Sequence, residues 1–508
     1  MDTLVLNILI FSPLLGIGLL FLSKTKSEKT IKRFGVASTI PSLMIAIYLF
    51  AQIKMGEDLS RFSISYKWFR FGRNDISELE KLFTVNFQLN VDSLSVIMLL
   101  LTAVISTMAT FSIFDIKKNL KGFVSLYLVL VTGMLGVFAA GNMILFFLFF
   151  EMTLISTFFL TGKWGYEQRE KAAYRFLIYN GIGSALLLFV IMTLQARFGT
   201  TDIQVLTQNL PNIGLELISP ISTKLRYFML GAIILAFGIK LPSFPFHSWM
   251  LKMHTQAPIP VVMVHTGILL KIGAYGLIRF GLSMFPNEFE VVAPYLAYIG
   301  VFNLLFGAFV AFIQTDFRFM LAYSSISHMG FILIGLGALN ELGIQAVIFT
   351  VISHGLISAF MFFLVGVLLE RTNTTELVEL SGLGHKAPVF SGFLLFGTMA
   401  LLGLPGLSGF VSEFTSFLAL FETKRMLAAT ATIAGILTAI FALSATLRIT
   451  FGSVKVPKLS LELRDLNWLE RIPLIVLAGF IVMMGIVPNF IGKEVQALIH
   501  TLISGIWR

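Results

Sequence analysis

Phe237-Gly238-Ile239-Lys240-Leu241-Pro242-Ser243-Phe244-Pro245 sets a lysine just ahead of two prolines, inside an apolar run long enough to cross a bilayer. A charge in hydrocarbon costs at least ~2.5–3.5 kcal/mol, so such residues face a bundle interior, find partners or line an ion path. Pro242 and Pro245 lack an N–H and crowd the carbonyls of Gly238 and Leu241, which predicts a broken helix with oxygens freed for water or a cation. Glu151, Lys271 and Glu413 also lie within long apolar runs. Four such residues in one chain predict ion or proton movement across a membrane.

The surrounding composition agrees. Of 508 residues, 56% are hydrophobic and 13% charged, against about 25% charged in a soluble domain. Apolar residues fall in blocks of about 20, the length that spans a bilayer core. Breaks at charged and Pro/Gly-rich positions predict an all-α polytopic fold of about fourteen spans, near 3–22, 31–53, 89–113, 122–140, 142–161, 170–197, 226–251, 258–281, 291–313, 318–338, 342–369, 388–421, 427–450 and 471–495. The run Leu4–Leu22 lacks a basic leader and a small-residue cleavage site, so it is expected to be a retained helix. The polar stretch 54–88 is expected to form a small ordered cap.

Basic residues collect in alternate links: Lys24, Lys26, Lys29, Lys32 and Arg33; Lys117, Lys118 and Lys121; Lys163, Arg169, Lys171 and Arg175; Lys455, Lys458, Arg464 and Arg471. The opposite links are short or acidic, as at Asn142, Glu288–Glu290 and Asn340-Glu341. The positive-inside rule then predicts both termini outside the cytoplasm, and it accounts for the net charge of +10 without nucleic acid. Trp164, Trp249, Trp468 and Trp507 fall at span ends, where headgroup contact is expected. With no cysteine, thiolate-ligated iron–sulfur clusters, disulfides and cysteine zinc sites are excluded within this chain. No Walker loop, dinucleotide fingerprint or haem ligand pair occurs either, so no cofactor or metal is expected here.

Two broken stretches, at Leu241-Pro242 and at Gly403-Leu404-Pro405-Gly406-Leu407-Ser408-Gly409, lie five spans apart. An odd repeat unit must be inverted in the membrane, and paired broken helices in inverted repeats mark ion sites. The expected division is therefore 1–121 (three N-terminal spans and the cap), 122–281 and 282–453 (two inverted five-span units) and 454–508 (the last span).

Each titratable residue carries two readings. Glu151 is an ion-path carboxylate or a packing hydrogen bond. Lys240 can hold and release a proton or snorkel to the surface. Lys271 is a plausible next station, with Gly267, Gly273 and Gly276 giving close helix approach or room for water. His265 lies about 120° around the helix from Lys271 and is not expected to touch it, which leaves packing or function open. His328 and His354, flanked by serines, are relay or hydrogen-bonded core residues. Glu413, just past the second break, is an exit station or a cap for free N–H groups.

Nearly the whole chain resembles the antiporter-like membrane subunits of respiratory complex I. The matching stretches are Phe87-Gln88-Leu89-Asn90-Val91-Asp92, Phe149-Phe150-Glu151, Phe237–Pro242, Phe244-Pro245-Phe246-His247-Ser248-Trp249, Gly267–Gly276 and Tyr323-Ser324-Ser325-Ile326-Ser327-His328-Met329-Gly330. Gly267–Gly276 and Asp465-Leu466-Asn467 resemble the subunit M branch, and the long lateral helix of the subunit L branch is not expected. Glu413 separates that branch from the D subunits of sodium/proton antiporters, which typically carry lysine there. The resemblance implies a proton path in which Glu151 pairs with Lys240, Lys271 connects, His328 and His354 lie centrally and Glu413 faces the exit. It also implies that NADH, FMN, iron–sulfur clusters and quinone belong to other subunits. Neighbouring antiporter-like subunits and the lateral helix of subunit L are the expected partners, in a bacterial inner membrane. Met250-Leu251-Lys252-Met253-His254 departs from the family's usual Leu-Pro-Asp-Ala-His, and Ser93 stands in place of the usual glycine. A multisubunit sodium/proton antiporter or a membrane-bound hydrogenase subunit is the alternative.

Overall fold

The computed structural model describes residues 2–70, 84–113, 116, 118–211, 221–455 and 464–504. Lys117, Lys458 and Trp507 lie outside the described residues. The described chain is a helical bundle: α1 Asp2–Leu22, α2 Glu28–Lys54, α3 Ser93–Thr110, α4 Leu120–Ala139, α5 Met143–Trp164, α6 Arg169–Phe198, the short α7 Ile203–Asn209, α8 Thr223–Lys240, α9 Ser248–Gln256, α10 Ile259–Leu282, α11 Pro286–Phe312, α12 Phe317–Ala338, α13 Glu341–Thr372, α14 Pro388–Leu401, α15 Ser408–Thr423, α16 Arg425–Thr450, α17 Trp468–Ile486 and α18 Asn489–Ser504. Among the described residues, twelve helices are long and apolar enough to cross a membrane. The two spans expected to be broken are the divided pairs α8/α9 and α14/α15, which stand beside these twelve.

Both divisions fall at the predicted prolines, but the first break is closed differently from expectation. The Gly238 carbonyl is not free: it accepts from Ser243 N at 3.0 Å and from Ser243 Oγ at 2.9 Å. Asn303 on α11 accepts from Phe244 N at 2.9 Å and donates to Ile326 O on α12 at 2.8 Å, pinning the break to the second half of the bundle. A buried backbone group left unpaired costs about as much as a lost hydrogen bond, which is why side chains fill the gap. At the second break, Gly403 and Gly406 take φ of +73° and +93°, a region that favours glycine.

Packing follows small residues. A methyl group on Gly300 of α11 would meet Gly330 O of α12 at 2.9 Å, and one on Gly330 would meet Gly300 O at 2.6 Å. Backbone contact at that range needs glycine on both faces. The glycines of α10 serve the same end: a methyl on Gly273 would lie 2.8 Å from Phe237 O, so that position gives close helix approach rather than room for water. The most apolar windows of α10 and α13 are buried throughout, as expected of helices apolar on every side.

Other expectations are corrected. Trp249 is fully buried, not at a headgroup boundary, and its indole N–H donates to Ile239 O at 3.1 Å. Glu288 is no surface loop residue; it is buried against Arg226 at 2.5 Å. The last predicted span stops early, since Val487 precedes Pro488 and is driven from helical to φ −126°, ψ 66°. The chain resumes in α18, which Glu494 ties to Lys54 at the end of α2 at 2.9 Å. Within the predicted cap, an antiparallel hairpin, β1 Ile64–Arg70 and β2 Thr84–Leu89, pairs Ile64 with Leu89.

One device occurs twice. Met143 N donates to Thr201 O and Ile203 N to Gly141 O, while Phe317 N donates to Thr375 O and Leu377 N to Thr315 O. Asn142 and Asp316 cap α5 and α12, and each accepts a hydroxyl from Thr201 or Thr375. Each bridge closes a helix pair, α5/α6 or α12/α13. The odd number of crossings between the bridges puts them at opposite ends of the bundle, as inverted units require.

Candidate functional site

The ionisable residues predicted from sequence come from α5, α8, α10, α12, α13 and α15, and the structure brings four of them, Lys271, His354, His328 and Glu413, into one row of contacts. Lys240 is the last residue of α8 and is 1% exposed. Its ammonium stands 4.8 Å from the centre of the Phe150 ring and 5.6 Å from that of Phe176. Cation–π attraction of this kind is worth ~2 kcal/mol when desolvated. Glu151, on α5, acts on Lys240 through space. No hydrogen bond joins them, however: Lys240 Nζ and Glu151 Oε1 have no hydrogen-bond partner among the described residues. The expected closed pair is therefore open, with aromatic faces holding the lysine where the carboxylate was expected.

The centre of the row is tighter. Lys271 is fully buried, and its ammonium bonds His354 Nδ1 at 2.8 Å and donates to Thr266 O. α10 makes this possible by loosening into a π-helical turn over His265–Leu269, which leaves the Thr266 carbonyl facing the lysine one turn on. The bond from Lys271 to His354 crosses from the first half of the chain to the second.

Beyond His354, the ring of His328 lies 5.2 Å away, centre to centre. His328 Nδ1 donates to Ser324 O at 2.7 Å, which leaves Nε2 to meet Glu413 Oε1 at 3.3 Å. Glu413 lies over Gly403, where an added methyl would meet Oε2 at 2.9 Å. Thus Glu413 does not cap the break; it packs across it and pairs with histidine. His328 and Glu413 can hold one proton between them, as His⁺–Glu⁻ or as neutral His with protonated Glu.

Two residues were missed or left open. His254 on α9 and His265 on α10, 1% exposed each, bond Nε2 to Nδ1 at 3.1 Å. As expected, His265 does not hydrogen-bond Lys271; its ring instead packs on Phe176 and Trp249, the side of α10 that faces Lys240. The available signal was two histidines flanking the turn Ala257-Pro258, which folds α9 back on α10. Asp92, in another matching stretch, serves a different end: it caps α3 and pairs with Arg279 at 2.7 Å.

The profile described as NADH:quinone oxidoreductase/Mrp antiporter, TM, matches residues 140–438. The chain is 34% identical to NADH-ubiquinone oxidoreductase chain 4 of Chondrus crispus, with 96% of this chain and 94% of that one covered. It is 32% identical to NADH-quinone oxidoreductase subunit M of Rickettsia prowazekii (strain Madrid E), covering 96% of each. Among solved structures, a chain of respiratory complex I from Thermus thermophilus with bound NADH superposes with a TM-score of 0.84 at 25% identity, over 100% of both chains.

Proposed function

The chain belongs to the NADH:quinone oxidoreductase/Mrp antiporter transmembrane family, and from that premise we propose that it is the proton-translocating subunit M of an NADH:quinone oxidoreductase. The observation that supports this reading is the row Lys271–His354–His328–Glu413, in which Lys271 bonds His354 across the two halves of the chain, the His354 and His328 rings pack together, and His328 meets Glu413. Similarity to chain 4 and subunit M over nearly the full length supports the choice within the family.

In this mechanism redox chemistry, with NADH, FMN, iron–sulfur clusters and quinone, belongs to other subunits. A charge change near Glu151 alters its pull on Lys240, and each ~1.36 kcal/mol of altered interaction shifts a proton equilibrium tenfold. The proton reaches Lys271, passes to His354 and then to His328, and leaves through Nε2 to Glu413. The units 122–281 and 282–453 act as two half-channels that meet at Lys271 and His354. In this reading the chain sits in a bacterial inner membrane beside other antiporter-like subunits and the lateral helix of subunit L, and the alternation of basic links supports both termini lying outside.

The test is proton pumping by the assembled complex in vesicles, read with a pH-sensitive dye. Lys240→Ala and Glu413→Gln are each expected to abolish pumping while leaving assembly intact. Full pumping by either assembled variant overturns the reading. Co-purification with flavin and iron–sulfur subunits, rather than with a small all-membrane assembly, separates this function from sodium/proton antiport.

A further inference from the structure

The end of the bundle that carries the basic links also carries a groove that the proposed proton path does not use. It opens between the last turns of α5 and the first turns of α6 and has a volume of about 370 Å3. At ~30 Å3 per molecule that is room for about a dozen waters, enough for a small polar headgroup. Two small residues, Gly162 and Ala173, line it from facing helices, and a methyl on Gly162 would meet Ala173 Cβ at 3.5 Å. Phe158 and Tyr174 meet edge to face across the same two helices, 5.7 Å between ring centres. Phe159 and Tyr174 turn outward, 53% and 59% exposed, as rings at the level of lipid headgroups do.

Three charged side chains complete the lining: Lys163 from α5, and Arg169 and Glu170 from α6, all exposed. Lys163 rests its ammonium 4.8 Å from the centre of the Trp164 ring. Among the described residues, none of the three joins an ion pair. Basic pockets between transmembrane helices at the cytoplasmic face are where lipid headgroups are recognised, and the positive-inside rule puts this end of the bundle there. The carboxylate of Glu170 sets this groove apart from a purely basic pocket.

We propose that the α5/α6 groove binds the headgroup of phosphatidylethanolamine. The lipid's phosphate lies between Lys163 and Arg169, one a point charge and the other a planar fork that suits phosphate oxygens. Its primary ammonium donates to the Glu170 carboxylate, and its acyl chains run down past Phe159 and Tyr174. Glu170 decides the class of lipid. An acidic headgroup would leave that carboxylate without a cation, and the fully methylated ammonium of phosphatidylcholine has no N–H to donate to it. A headgroup carrying both a phosphate and a primary ammonium answers all three charges. No group of the groove belongs to the row from Lys240 to Glu413, so lipid binding and proton translocation stand or fall separately.

The test uses the assembled complex in phosphatidylcholine vesicles doped with phosphatidylethanolamine that carries a diazirine on one acyl chain. After illumination, labelled peptides are read by mass spectrometry, with the exposed apolar end of α11 at Phe309 and Phe312 as the reference for unselected lipid. Labelling at Phe159 and Tyr174 should exceed that reference. Unlabelled phosphatidylethanolamine should displace it about fivefold better than added phosphatidylcholine or phosphatidylglycerol, the upper end of what an exposed ion pair is worth. Glu170→Gln should keep the labelling and lose the preference over phosphatidylcholine, whereas Lys163→Gln/Arg169→Gln should bring labelling down to the reference. Labelling of the unmodified complex no higher than the reference overturns the site, whether ordinary lipid or a neighbouring subunit covers the groove. Equal displacement by phosphatidylcholine, or better displacement by phosphatidylglycerol, overturns the choice of lipid. A Glu170→Gln complex that keeps the full preference overturns the role of the carboxylate. The labelling is read whether or not the complex pumps protons, so none of these results depends on the proton-translocating reading.

Discussion

Lys271 is buried without a carboxylate partner in hydrogen-bond contact, held by a carbonyl and an imidazole. Replacing a lone buried ammonium with an apolar side chain of similar volume removes its desolvation penalty, on the order of a few kcal/mol. Against this, Thr266 O and His354 Nδ1 would lose a donor, at about 1–3 kcal/mol. The two effects nearly cancel, so Lys271→Met should assemble with a Tm within about 4 °C of wild type and yet pump no protons. A large loss of thermal stability in calorimetry would make Lys271 a strut instead. Gly403→Ala tests the other end. Its φ of +73° costs an alanine about 1–2 kcal/mol, and the new methyl would meet the Glu413 carboxylate. Weaker pumping with Glu413 still present is the expected reading. The four charges of the row were legible because ionisable residues in hydrocarbon are conspicuous in sequence. The His254–His265 contact was not, because it depends on how sharply the chain turns at Pro258.

At the scale of the helix, both breaks were legible from their prolines and glycines, whereas the way they are sealed was not. Ser243 satisfies the Gly238 carbonyl locally, but Asn303 reaches in from another helix, and no local pattern announces it. Asn303→Ala leaves Phe244 N–H and Ile326 O without their partner, a cost of about 1–3 kcal/mol. Amide hydrogen exchange over 241–247 should accelerate in this variant; unchanged exchange would mean the prolines alone hold the break. The paired bridges at Asn142–Asp202 and Asp316–Glu376 show why internal repetition read weakly from sequence. What recurs is backbone pairing with an Asn or Asp cap and one threonine, a signal carried by very few side chains.

At the scale of the molecule, the two halves are stapled where one ends and the other begins. Arg226 on α8 meets Glu288 at the start of α11 and also donates to Leu210 O at 2.9 Å, all within the buried interior. Removing one partner of a buried pair strands the other charge, so Arg226→Met should destabilise the assembled chain by ~3–5 kcal/mol. Adding Glu288→Met should recover most of that loss; failure to recover in thermal unfolding would mean the guanidinium contributes chiefly through Leu210. Fold class and span order were legible from composition and hydropathy, since a bilayer permits few alternatives. The helix after Pro488 was not, because Phe490, Ile491 and Val495 extend the apolar spacing of the last span past that proline.

The gap between Lys240 and Glu151 also bears on the membrane as an insulator. A membrane potential of 100 mV drives each elementary charge with ~2.3 kcal/mol. A row of proton-exchanging groups bonded from end to end would let that force run backwards as a short circuit. With Phe150 and Phe176 against the ammonium and no bond to the carboxylate, the proposed path is interrupted at its first terminal. On the proposed path, current would flow only while something closes that terminal, so the same two aromatic rings that make Lys240 tolerable in hydrocarbon would keep the stored voltage from draining away.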